Sequence, residues 1–239
     1  MLKIGLSGCS GAIGEIIEIL VDAQDEIDIA FGISAHDVLK RYPVYNTVND
    51  IKTNCDVVID FSHHDLTQQL VTYCVDKKIP LVIGTTGLTP NIKQDIEKAS
   101  QSIKIFECAN MSRGIDVMQK LLSVAVRELT DYDIEIIEKH HRLKKDAPSG
   151  TALLLANCIN EYREKTLHYK YGRTPQDEKR QNLELGIHAI RGGTIFGEHS
   201  VIFAGNDEVI EIKHTAMSKK IFASRAIEVA KQLVYQTVK

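Results

Sequence analysis

Tryptophan is absent from this chain, and the aromatic residues together make up only 6% of it. A surface that binds single-stranded nucleic acid by stacking bases on aromatic rings is thereby disfavoured. A basic footprint is missing as well. Lys and Arg number 29 against 32 Asp and Glu, for a formal net charge of -3, so the general electrostatic condition for nucleic-acid binding is not met. No apolar run approaches the roughly 20 residues that a membrane span needs. The N-terminal stretch Met1-Leu2-Lys3-Ile4-Gly5-Leu6 carries one charge, and glycines from Gly8 to Gly14 interrupt its apolar character. It lacks the plan of a signal peptide. The five cysteines, Cys9, Cys55, Cys74, Cys108 and Cys158, are odd in number and contain no C-x-x-C pair. A zinc knuckle or redox dithiol is excluded on that spacing, no metal site is expected, and a cytoplasmic protein with reduced thiols is the natural reading.

What is present is an ordinary globular composition, 44% hydrophobic and 26% charged over 239 residues, enough for one large or two modest domains. The first hundred residues alternate strand-like and helix-like runs. Leu2–Leu6, Ile27–Phe31, Cys55–Phe61, Pro80–Gly84 and Ile103–Phe106 read as strands. Ile13, Ile16, Ile17, Leu20 and Val21 recur at helical spacing, as do Leu66, Leu70, Val71 and Cys74. Thr89 caps a further helix with Pro90 at its first position. Such alternation predicts an α/β, Rossmann-like parallel sheet with helices on both faces.

The pattern changes after Asn110. A helix over about Ile115–Leu129 precedes a strand at Asp133–Glu138, and a second helix runs from about Thr151 to Arg163. Residues 165–182 read as a long polar loop. From Leu185 to Lys213, strand-like runs broken by Gly192-Gly193, Gly197 and Gly205 suggest antiparallel strands in a smaller, mixed α+β domain. The last helix, Ala223–Val234, returns to the first domain. The expected division is residues 1–111 with 216–239 for dinucleotide binding, and 112–215 for substrate binding and oligomerisation.

The first strand leads into Gly8-Cys9-Ser10-Gly11-Ala12-Ile13-Gly14, which opens the first helix. In that context glycines let the backbone approach a pyrophosphate at a helix N-terminus. The spacing is G-x-x-G-x-x-G rather than G-x-G-x-x-G. At the tip of the second strand, Ser34 is neither a ribose-binding carboxylate nor a 2′-phosphate clamp, so the sequence does not choose between NADH and NADPH. Two more loops, Gly84-Thr85-Thr86-Gly87 and Cys108-Ala109-Asn110-Met111, follow strands on the edge where ligands bind in open parallel sheets.

The densest chemistry lies in Glu138-Lys139-His140-His141-Arg142-Leu143-Lys144-Lys145-Asp146-Ala147-Pro148-Ser149-Gly150-Thr151-Ala152. Ser149 is a good N-cap for the apolar run that follows. The amides near Gly150 and Thr151 would then face outward as an anion cradle. An imidazole titrates near about pH 6.5 and can give or take a proton near neutrality, and Lys144, four positions on, offers an ammonium. Together these suit proton transfer to an acidic small molecule.

This string resembles the signature of the 4-hydroxy-tetrahydrodipicolinate reductase family, formerly called dihydrodipicolinate reductases, E-x-H-H-x-x-K-x-D-x-P-S-G-T-A. The resemblance extends over the whole chain, through the Gly8 loop, Val82–Gly87, Ala109-Asn110 and Ile190–His199. It implies an NAD(P)H-dependent reductase of diaminopimelate and lysine biosynthesis that acts on a cyclic imine dicarboxylate with loss of water. It further implies His140 as proton donor/acceptor, Lys144 as proton donor, and His141, Gly150 and Thr151 as substrate contacts. Gly8, Cys9, Ser10, Gly11, Ala12, Ile13, Gly84, Thr85, Thr86, Cys108, Ala109, Asn110 and Met111 would contact the nucleotide. A cytoplasmic homotetramer is implied too. Ser34, Ala35, Met111 and Lys219 depart from many members. The competing readings are another two-domain nicotinamide oxidoreductase of amino-acid metabolism, or a non-catalytic dinucleotide sensor, and neither needs the basic motif.

Overall fold

A computed structural model describes residues Met1–Tyr235. The chain divides into two compact units, one of Met1–Met111 with the segment from Lys219 onward, the other of Ser112–Ser218. The return therefore begins slightly later than position 216.

Unit 1 holds strands β1 (Leu2–Ser7), β2 (Ile27–Ile33), β3 (Val44–Tyr45), β4 (Val57–Asp60), β5 (Leu81–Ile83) and β6 (Ile105–Glu107). They form one sheet in the order β3-β2-β1-β4-β5-β6, parallel at every pairing. The apolar runs are nearly continuous because this sheet is covered on both sides. One face buries Leu6, Ile29 and Ile59 with helices α1 (Ala12–Asp22) and α6 (Lys220–Tyr235). The other buries Phe31, Val58 and Ile83 with α2 (His64–Lys77) and α3 (Pro90–Ala99). Ile59 is wholly buried, and truncating it to Ala would cost about 2–5 kcal/mol. The strand order reverses between β1 and β4, which places the ligand crevice of such a sheet between the loops that follow these two strands.

Unit 2 contains α4 (Arg113–Glu128), β7 (Asp133–His140), α5 (Gly150–Tyr162), β8 (His168–Tyr171), β9 (Glu184–Arg191), β10 (Gly197–Ala204) and β11 (Val209–Ala216). The sheet order is β11-β10-β7-β9-β8. β10 is antiparallel to β7 and β11, whereas β9 is parallel to β7 and β8. The expectation of antiparallel strands over the whole 185–213 stretch is thus corrected for β9. Glycine punctuation marks where strands end but not their direction. The segment 165–182 also contains a short strand, β8, rather than loop alone. Its alternating polar residues hide it, because Glu135 on the adjoining sheet face ties this region down by accepting from Arg173, Arg180 and His188.

The period of β7 decides the position of the chemistry. Ile134 and Ile136 face the helices and join the core of unit 2. Two residues per repeat bring Glu138 and His140 to the same face, where both are buried. Among the described residues, no helix is long and apolar enough to cross a membrane.

Candidate active site

The β1–α1 turn is shaped by what its glycines omit. Gly8 has φ +79°, and a Cβ there would lie 2.3 Å from the Phe61 carbonyl oxygen. A Cβ on Gly14 would lie 2.3 Å from the Gly8 carbonyl oxygen. Gly11 occupies the N-cap of α1 with no side-chain hydrogen bond to the helix, whereas Thr89 and Ser149 cap α3 and α5 through their hydroxyls. The α1 N-terminus therefore keeps a smooth backbone surface that a diphosphate could occupy, and the donor set Ser10, Ala12 and Ile13 fits a dinucleotide. Cys9 is buried under this turn, so only its backbone is placed to meet a ligand.

On the β4 side, the Asp60 carboxylate is fully buried. It accepts from the hydroxyls of Thr67 (2.6 Å) and Thr85 (2.9 Å) and from the Ser62 amide (3.1 Å). Thr85 Oγ1 in turn receives the Ser62 amide at 3.0 Å. Asp60 therefore ties the β4–α2 and β5–α3 loops together. The Thr85 hydroxyl is committed inward, while Thr86 is exposed. In the last loop, Cys108 Sγ donates to the Asn110 carbonyl at 3.1 Å, and the Met111 side chain is buried in the core of unit 1. Ala109 is exposed. At the expected ribose position, Ser34 shares a 2.8 Å hydroxyl bond with Ser10 and donates to the His36 carbonyl. Lys40 pairs with Glu18, and Arg41 with Asp22 and Asp28. His63, His64 and Asp65 form a surface group whose donor atoms lie within 4.8 Å of one another, and the two imidazoles already pair with Asp65.

One group of ionisable side chains in unit 2 lies around the C-terminal end of β7. Arg191 grips Glu138 with both guanidinium arms, Nη1 donating to Oε2 at 2.7 Å and Nη2 to Oε1 at 2.6 Å. The Ser149 amide donates to the same Oε1 at 2.9 Å. Burial alone would raise the Glu138 carboxyl pKa, but donors from Arg191, His140 and Ser149 bring it below the ordinary value. An ionised carboxylate can only accept, so the 2.6 Å contact with His140 places a proton on Nδ1. This carboxylate–imidazole pair leaves Nε2 without a proton when the ring is neutral. Gly197 lies beside His140, and a Cβ there would come within 3.2 Å of Nε2. Glycine keeps that nitrogen open.

Desolvation lowers the His140 pKa, with Glu138 pulling the other way, so the imidazole is mainly neutral at pH 7. Lys144 pairs with Asp146 at 2.8 Å. Burial would raise the Asp146 carboxyl pKa, yet Lys144 and the Gly150 amide hold it below its usual value. Arg191 also donates to the Asp146 carbonyl at 2.6 Å, which anchors the loop carrying Lys144. His141 is half-buried and lies just beyond β7, where its carbonyl accepts from the Lys144 amide. Gly150 and Thr151 open α5, and no atom lies within 4 Å of a Cβ built on Gly150.

His140, Lys144, Gly150 and Thr151 thus belong to one loop-and-helix assembly in unit 2, and the residues expected to contact nucleotide belong to unit 1. Ser149, the N-cap read from sequence, joins the former, and Glu138, Asp146, Arg191, Gly197 and His199 complete it without a role assigned to them from sequence. Glu138 was the accessible one, being two residues before His140 on a strand. Arg191 and His199 depend on strand register, which no local pattern reveals.

A family model described as "Dihydrodipicolinate reductase, N-terminus" matches residues 2–111, and one described as "Dihydrodipicolinate reductase, C-terminus" matches residues 114–239. The chain belongs to the dihydrodipicolinate reductase family. It is 44% identical over 236 residues to the 4-hydroxy-tetrahydrodipicolinate reductase of Caldanaerobacter subterraneus subsp. tengcongensis, covering 99% of this chain and 94% of the relative. The Clostridium tetani enzyme of the same name is 46% identical, with 95% and 90% covered. In fold the chain is similar to a dipicolinate-bound dihydrodipicolinate reductase from Paenisporosarcina sp. TG-14, with TM-score 0.81, 22% identity, and 98% and 95% covered. Aspartate dehydrogenase from Thermotoga maritima is a more distant likeness in fold, at TM-score 0.56 and 10% identity, with 100% and 99% covered.

Proposed function

We infer that this chain reduces 4-hydroxy-tetrahydrodipicolinate to tetrahydrodipicolinate, consuming NADH or NADPH and a proton and releasing water, in diaminopimelate and lysine biosynthesis. The observation that carries this reading is the match of both family domains across nearly the whole chain, joined to a signature whose titratable groups meet in unit 2. In our reading unit 1 carries the cofactor and unit 2 the substrate. The nicotinamide, when bound, supplies the hydride to the unsaturated carbon.

The chain's own residues handle protons and charge. Glu138 holds the His140 ring by Nδ1, and Nε2 exchanges a proton with the reacting ring system. Lys144, an ammonium, donates a proton and offsets negative charge developing on the substrate. One substrate carboxylate lies against the amides of Gly150 and Thr151, with His141 as a further contact. Asp146 engages Lys144 and the Gly150 amide, so substrate competes with it there.

The chain acts as a cytoplasmic homotetramer joined through unit 2. Support comes from β11, which ends the sheet with Val209 and Ile210 exposed. An edge of this kind invites pairing with another copy. A sensor that binds nucleotide without turnover would have no use for a proton held on Nδ1 opposite an open glycine. The test is nucleotide oxidation with freshly generated 4-hydroxy-tetrahydrodipicolinate. Substrate-dependent turnover is expected, whereas nucleotide binding without turnover would overturn the reading.

A further inference from the structure

Two serine N-caps in unit 2 are each bonded to a histidine on the sheet beneath. Ser112, which caps α4, meets His214 of β11 at 3.3 Å. Ser149, which caps α5, meets His199 of β10 at 2.9 Å. The second pair is buried, Ser149 being 2% and His199 5% exposed. In the strand ladders His199 stands between Glu138 of β7 and His214 of β11. Its ring also meets His140 edge-on at 5.2 Å between centroids.

Ser149 is thus held at every polar atom it directs toward the sheet and helix. Its amide donates to Glu138, and its Oγ accepts from the Ala152 amide at 3.2 Å and bonds to His199 Nε2. A side chain spanning sheet floor and helix cap fixes the tilt of the first turn of α5. The residues that follow, Gly150 and Thr151, are those our functional reading gives to a substrate carboxylate. Amides bind an anion well only when already aimed, because reorientation on binding subtracts from affinity.

We propose that His199 is a positioning residue for substrate: through Ser149 it aims the α5 amides at one carboxylate of the dicarboxylate. The bond serves this purpose whichever ring nitrogen carries the proton. Desolvation brings the His199 pKa down to about 4, so the ring stays neutral and adds no competing charge under the cradle. The proposal rests on the substrate reading above.

The probe is dipicolinate as a competitive inhibitor, together with the substrate KM and kcat. His199→Leu removes the bond and keeps an apolar side chain. It should raise both Ki and KM roughly three- to tenfold, the loss of one neutral hydrogen bond, with a smaller change in kcat. His199→Gln places an amide near the Nε2 position and should restore most of the affinity. Ser149→Ala should weaken dipicolinate to a similar degree, and the His199→Leu/Ser149→Ala double variant no more than the worse single. If His199→Leu does not fold, Ser149→Ala and His199→Gln still decide the matter. Unchanged Ki in both, or a Gln variant weakened more than Ser149→Ala, overturns the proposal. A fall in kcat or thermal stability with Ki and KM unchanged in the Leu variant overturns it as well.

Gly150→Pro separates the underlying reading from the proposal. It deletes one cradle amide at a helix position where proline is tolerated, and a Cβ there meets nothing within 4 Å beyond its chain neighbours and the backbone of its own helix. Weaker dipicolinate binding in Gly150→Pro with none in His199→Leu would leave the cradle standing and sink the role of His199. No change in Gly150→Pro would sink the cradle itself.

Discussion

In unit 1 the residues around the ligand crevice matter for what they leave out, whereas in unit 2 they matter for the charge they carry. Gly8 and Gly14 clear a path for backbone, since any Cβ would strike a carbonyl oxygen 2.3 Å away. Their counterparts in unit 2, Glu138, His140 and Arg191, form a buried ionic assembly on the core face of the sheet. A nucleotide's phosphates and ribose can be met by amides at a strand–helix turn. Proton transfer needs groups whose protonation is set by their neighbours. In the proposed function, nucleotide binding draws on backbone in unit 1 and proton transfer on side chains in unit 2, so the two should respond to different substitutions.

The largest expected effect follows from removing the working imidazole. His140→Gln should lower kcat by roughly 10²–10⁴-fold while nucleotide affinity stays within about twofold of the original. Steady-state kinetics beside a fluorescence titration of NADH would check both halves. An unchanged kcat would remove His140 from the mechanism.

Next comes the carboxylate beneath it. Glu138→Gln leaves the partly exposed Arg191 guanidinium without its counter-charge beside a buried side chain, which should cost about 2 kcal/mol of folding stability. Its cofactor affinity should be preserved, since the damage lies in unit 2. Urea unfolding would measure the loss, and a change under about 0.5 kcal/mol would mean that solvent or a neighbour already balances the pair.

Acid should also expose the contrast. Desolvation lowers the pKa values of His140, His199 and His214, that of His199 to about 4, against about 6.5 in an unfolded chain. Between these values the unfolded state binds more protons, so stability falls as pH falls. His199 alone should remove about 2 kcal/mol by pH ~5. Denaturation midpoints that stay level between about pH 7 and pH 5 would contradict that sign.

The smallest effect concerns nucleotide choice. Ser34 is bonded to Ser10, while Lys40 and Arg41 are occupied by acidic partners. With neither a carboxylate for the 2′-hydroxyl nor a free Arg for a 2′-phosphate, discrimination should stay under about tenfold, or about 1.4 kcal/mol. A kcat/KM ratio beyond about a hundredfold would point to a determinant elsewhere.

The same contrast explains what could be read before the fold was seen. The alternation of strands and helices in unit 1, the caps at Thr89 and Ser149, and the signature around His140 are local in sequence, and local patterns carry them. Glu138, the partner of His140, is local in sequence, but the groups that complete the pair are not. Arg191 reaches Glu138, and His199 the His140 ring, only because β9 lies parallel and β10 antiparallel to β7, and register is a property of the assembled sheet. β8 is hard to read from sequence because it is four residues long and only Tyr169 among them packs against the core of unit 2. Asp60 was hidden by its setting, a carboxylate closing the apolar run Val57–Ile59, where its value lies in the two loops it joins.

The division of labour is tested most directly by measuring NADH affinity and kcat at saturating NADH in Gly8→Ala and His140→Gln side by side. Gly8→Ala should weaken NADH binding by tenfold or more, because a Cβ at φ +79° meets the Phe61 carbonyl, yet keep most of kcat once saturated. His140→Gln should do the reverse. Two variants that lose affinity and turnover in the same proportion would contradict the account.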